Sequence, residues 1–166
     1  MNLELIPRGE TLILDANILI YAIQQESKQC KRLLMQCAGD EINGVLPLHI
    51  LSEVMHVLMI SEAIDNGWVQ GLNKVKQLAE KPERIKSLFR YENLIKDIFA
   101  INLNLVSLQH EDFISAMRIQ REFGLMTNDA LFIAVAERLR IKTIVSADKA
   151  LASIRGMILY SPDDIQ

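Results

Sequence analysis

Cysteine is nearly absent: the chain of 166 residues has two, Cys30 and Cys37. They stand seven positions apart in a helical pattern, two turns along one face, too far for a strain-free disulfide. Zinc sites want closer cysteine spacing and further ligands, so both are read as reduced thiols in or near the core. Proline (4) and glycine (7) are also sparse and scattered. With no linker-like stretch and no internal repeat, a single domain over residues 1–166 is expected. No apolar run approaches the roughly 18 residues of a membrane helix, because Glu53, Asp129 and Glu137 interrupt the greasiest segments. Asn2, Glu4 and Arg8 follow Met1 where a secretory leader would be basic and then apolar. A soluble, cytoplasmic protein is therefore expected. The net charge of −3 argues against a surface that clings to nucleic acid everywhere.

What the chain does have is a 50% hydrophobic composition, enough for a sizeable core. Thr11 to Leu14 ("TLIL") is a compact apolar strand candidate. Helical spacing follows from Ile18 through Ala38, with a break near Glu26 and Ser27, where Ser27 can cap a second helix. Turn residues 39–44 lead to a short strand at Val45 and Leu46, and Pro47 suits the start of a helix from about Leu48 to Ala63. Helices are predicted over 69–79, 82–100, 111–123 and 130–139, and strands over 103–108, 143–146 and 157–160. Strands alternating with helices imply an α/β fold: a three-layer, doubly wound, mostly parallel sheet with helices on both faces. An extra helical segment lies near 65–100.

In such a sheet the parallel strands end at one edge, and ligands collect in the crevice outside it. Asp15 follows "TLIL" directly, and Asp148 follows "TIVSA", so both can project there. Asp129 opens the apolar helix of "GLMTNDALFIAVAERL". It reads either as an ordinary first-turn acid or, if Thr127 and Asn128 cap the helix instead, as a group free to point elsewhere. Glu53 sits in "LPLHILSEVMHVLMI", whose apolar residues surround the whole helix, so a buried glutamate that needs partners is expected. His49 and His56 flank it, and "EVMH" matches half of a di-iron Glu-x-x-His site. No other glutamate has histidine three residues on, so the two histidines are read as partly exposed or hydrogen-bonded.

Carboxylates brought together repel one another, so such a group holds protons or recruits cations. An oxygen-only set favours Mg2+ or Mn2+, ions suited to phosphate chemistry. The basic residues concentrate elsewhere: six of them against Glu80 and Glu83 between Lys74 and Arg90, a local +4. This stretch, with Lys81, Arg84, Lys86 and Arg90, reads either as a solvated helical face or as a phosphate-facing patch.

Taken in order, "LILDANILIYA", "LSEVMHVL", "GLMTNDALFIAVAERL" and "TIVSADKAL" resemble the PIN-domain nucleases, especially the VapC-type toxins of toxin–antitoxin pairs. The likeness spans nearly the whole chain. It implies a metal-dependent endoribonuclease that hydrolyses single-stranded RNA, with Asp15, Glu53, Asp129 and Asp148 holding Mg2+ or Mn2+. Asn17 and Ser146 would be the supporting residues. An antitoxin partner and homodimerisation are further implications. Alanine stands at position 16, where the family often has Thr or Ser. A catalytically silent PIN-fold module that only occupies a partner protein is the alternative. A dehalogenase-type phosphatase is disfavoured because "DAN" lacks the second aspartate of Asp-x-Asp. A receiver domain would need phosphorylation at Asp15.

Overall fold

The computed structural model describes residues 1–165. Its centre is β1 (Thr11–Leu14), in which Leu12, Ile13 and Leu14 are wholly buried. A strand with a neighbour on each edge and helices over each face has no polar side, so its sequence is a continuous apolar run. Around it β2 (Asn43–Pro47), β3 (Asn104–Val106), β4 (Thr143–Val145) and β5 (Ile158–Tyr160) form one sheet of order β3-β2-β1-β4-β5. All four pairings are parallel, so the sheet expected to be mostly parallel is wholly so.

Helices α1 (Ala16–Ile23) and α2 (Lys28–Ala38) join β1 to β2. Four more, α3 (Leu48–Asp65), α4 (Lys74–Ala79), α5 (Pro82–Lys86) and α6 (Arg90–Ala100), join β2 to β3. The return to β4 runs through α7 (His110–Phe123) and α8 (Thr127–Leu139). The first two crossovers step outward on one side of β1, and the third steps back past it. Since such crossovers are right-handed, the two sets cover opposite faces and the three-layer arrangement follows. The reversal makes the carboxyl ends of β1 and β4 the switch point of the sheet.

Local chemistry explains the joints. Ser27 caps α2 as expected, its hydroxyl accepting from the Cys30 N–H at 3.0 Å. Cys30 and Cys37 are fully buried free thiols, and burial pushes both up to about 11. A side chain at Gly44 would bring its Cβ to 2.6 Å from the end of the Leu103 side chain and 3.0 Å from the Cys37 sulfur, so glycine lets α2 and Leu103 pack closely on β2. Gly124, at φ 71°, ends α7. Between α7 and α8, buried Asp112 accepts from Arg138 at 2.7 and 3.0 Å and from the Gln109 N–H at 2.8 Å. That pairing ties the start of one helix to the end of the next. Among the described residues no helix is long and apolar enough to cross a membrane.

Three expectations are corrected. Helix α3 is not buried all round: Leu51, Val54 and Leu58 face the core, while Ser52, Met55 and His56 are exposed because the helix lies in the outer layer. The stretch 69–79 becomes helical only at Lys74, since Gly67 and Gly71 hold φ of 69° and 68°, outside helical backbone. The stretch 82–100 is two helices because Glu62 of α3 intervenes. Its buried carboxylate accepts from the N–H groups of Phe89 and Arg90, each at 3.1 Å, and of Tyr91 at 2.8 Å, and so starts α6 afresh. Ile60, Ala63, Val69, Leu78 and Leu88 form a small second core beneath this segment.

Candidate functional site

Asp15 is the residue at which β1 stops and α1 starts. Its backbone N–H donates to Val145 at 3.0 Å, continuing the pairing of β1 with β4, while its side chain caps α1 through the Ala16 N–H at 2.7 Å. The other carboxylate oxygen accepts from Asn17 Nδ2 at 2.7 Å and from the Ser146 hydroxyl. Asn17 also accepts at Oδ1 from the Ala147 N–H at 3.0 Å. One asparagine in the first turn of α1 thus clamps the ends of two strands together. Ser146 is fully buried, and its oxygen accepts from the Asp148 N–H at 2.9 Å. This turns the chain so that exposed Asp148 follows β4 at the same edge, where it accepts from the Ala150 N–H at 2.8 Å.

Asp129 lies in the first turn of α8. The residue preceding that helix is Met126, without a side-chain cap, so Thr127 and Asn128 are helical residues and not the caps expected. Asn128 instead donates to Glu53 Oε2 at 3.1 Å, across from α8 to α3. Glu53 is half-buried on the flank of α3. His56 is exposed and His49 partly exposed, as expected, although both ring nitrogens of His49 are sealed from solvent.

The electrostatics bind these four acids into one group. Burial pushes the Asp129 carboxyl above its ordinary value, and the charges of Asp15, Asp148 and Glu53 push it the same way. Burial also raises Asp15, with Asp148 adding to the effect, against hydrogen bonds from Ser146, Ala16 and Asn17 that favour its charged form. None of the four is paired with Lys or Arg among the described residues. Four carboxylates in mutual repulsion, offering oxygen donors alone, fit a hard divalent cation. As they stand, no three acidic, histidine or cysteine side chains among the described residues are close enough to enclose one.

The chain matches the PIN domain family over residues 12–157. It belongs to that family. No curated protein sequence matches it. Solved structures of similar fold include the following three. VapBC2 from Rickettsia felis, bound to a DNA fragment from its promoter, has a TM-score of 0.60 at 19% identity, covering 92% of this chain and 99% of that one. A toxin–antitoxin complex from Klebsiella pneumoniae has a TM-score of 0.52 at 18% identity over 89% and 95%. A protein from Pyrobaculum aerophilum has 0.52 at 18% over 91% and 89%. At these identities the likeness is one of fold.

The basic residues singled out in the PIN chain's extra segment are largely engaged with their neighbours. Arg84 donates to the Trp68 carbonyl at 2.6 Å and lies 5.7 Å over its ring. Lys86 pairs with Glu83 at 2.8 Å, and Arg90 pairs with Asp65. Lys81 is exposed and has no ion-pair partner among the described residues. Sequence reasoning missed Glu62, Asp112 and the Asn128–Glu53 contact. For Glu62 a signal existed: position 62 continues the buried stripe of Val54 and Leu58 at helical spacing, so an acid there had to be satisfied inside.

Proposed function

We propose that this chain, as a single PIN domain over residues 1–166, is a Mg2+- or Mn2+-dependent endoribonuclease that hydrolyses phosphodiester bonds of single-stranded RNA. The observation that carries the reading is the convergence on Asp129 of the charges of Asp15, Asp148 and Glu53, with Asp15 and Asp148 at the carboxyl ends of β1 and β4, in a member of this family. These four would hold the cation. Bound there, it supplies Lewis acidity to an attacking water and to the scissile phosphate.

The chain's own residues do the orienting. Asn17 and Ser146 fix the Asp15 carboxylate so that it meets the cation without searching rotamers. Ser146 is unsuited as a nucleophile, because it is fully buried and its oxygen already accepts from the Asp148 N–H at 2.9 Å and from Asn17 at 3.1 Å. The nucleophile in this reading is water. Of the four basic residues singled out, Lys81 is exposed and without an ion-pair partner among the described residues, so it is free to meet RNA phosphate, whereas Arg84, Lys86 and Arg90 contribute only by leaving their present partners.

One fold relative is described as a toxin–antitoxin complex and another as VapBC2, which supports a toxin that pairs with an antitoxin protein; a cytoplasmic location and a homodimer belong to the same proposal. The test is cleavage of an RNA panel by purified protein with Mn2+. Activity should vanish with chelator and fall by about 100-fold or more in Asp15→Asn. Equal cleavage by that variant overturns the assignment.

A further inference from the structure

We propose that Asn128 is a positioning residue that holds Glu53 in the place from which it binds the cation. The inference rests on the metal-site reading above and assigns a role to a residue outside the four acids and their two supports. Glu53 is on the flank of α3 with three rotatable side-chain bonds, and Asn128 Nδ2 is its one hydrogen-bond partner among the described residues, at 3.1 Å. That contact is the one polar restraint on the carboxylate among the described residues. It comes from the residue next to Asp129, so the same turn of α8 carries one acid to the cluster and aims another.

The amide is not needed for the helix. Met126 precedes α8, the side chain of Asn128 caps nothing, and asparagine is a poor helix former. A neutral donor also suits the task better than lysine or arginine. It fixes one oxygen of Glu53, leaves the other open, and does not cancel the charge that a cation needs.

Helix α3 meets Asn128 at a second point. His49, one helical turn before Glu53 on the same face, packs its ring beside the Asn128 backbone with both ring nitrogens shut off from solvent. The first turn of α8 is therefore seated on α3 by its backbone and linked to it by its side chain.

The experiment is Mn2+ titration of the full chain by calorimetry for wild type, Asn128→Ala, Asn128→Gln and Asp129→Asn, with metal-free melting temperatures alongside. Asn128→Ala should bind Mn2+ about 10-fold more weakly with no fall in the metal-free melting temperature. Asn128→Gln, which keeps the amide, should recover most of that loss. Wild-type affinity in Asn128→Ala, while Asp129→Asn loses binding, overturns this proposal and leaves the metal site standing. A Gln variant as weak as the Ala variant, or a matching fall in metal-free stability, assigns Asn128 a structural role and also overturns it. If wild type binds no Mn2+, or Asp129→Asn binds equally well, the underlying metal-site reading fails and the proposal falls with it.

Discussion

Two sets of carboxylates in this molecule are treated in opposite ways. Glu62 and Asp112 are buried but supplied: three backbone N–H groups meet one, and Arg138 with the Gln109 N–H meets the other. Burial alone would raise both, yet these partners hold both carboxyls below their ordinary values. Asp15 and Asp129 are held above theirs, by burial first and then by one another's neighbours. The first set joins helices together. The second stores repulsion at the carboxyl edge of the sheet, where a cation would release it.

The contrast breaks most severely at Asp112. Asp112→Ala strips Arg138 of its buried partner and should destabilise the fold by about 3 kcal/mol. The melting temperature should then fall by roughly 10 °C, read by thermal denaturation. Glu62→Gln keeps the shape but loses charge and one acceptor, and should cost about 1–2 kcal/mol in urea unfolding. Hydrogen exchange should show that loss concentrated at the start of α6.

Acid titration sharpens the comparison further. Glu62 and Asp112 have depressed folded-state values, so their contribution is present above the ordinary carboxyl range and is lost as pH falls through the folded values. Asp15 and Asp129 have raised values, so their penalty is present at neutral pH and is relieved as pH falls through that raised range. In wild type the two trends follow one another: stability rises as pH falls through the raised values of Asp15 and Asp129, then falls below the ordinary carboxyl range as Glu62 and Asp112 take up protons. Asp129→Asn removes part of the relief, so its stability, followed by urea midpoint against pH, should fall more steeply from its neutral value than wild type does. Parallel curves would show that Asp129 carries no penalty.

How much of this was legible in the sequence depended on how local the cause was. Strand β1 announced itself because burial on both faces makes a continuous apolar run, and Ser27 because a capping hydroxyl acts within three residues. Asp15 and Asp148 followed from chain direction, since parallel strands share an edge. The division of 82–100 was hidden because the group that starts α6, Glu62, is 27 residues from Phe89 in the chain. Asn128 was misread for the same reason: an asparagine at a helix start has a local use as a cap, and its actual partner Glu53 is 75 positions away. The exposed flank of α3 was concealed by Leu48 and Met55, apolar residues that lie on the surface.

The central claim is that the four acids are held together against their own charge. The most direct test is the thermal melt of Asp129→Asn beside wild type, in chelator at neutral pH. Removing one of four mutually repelling charges should raise the melting temperature by a few degrees, with the fold unchanged by circular dichroism. A lower melting temperature for the variant would contradict the claim, since Asp129 would then be stabilising the fold like Glu62 and Asp112.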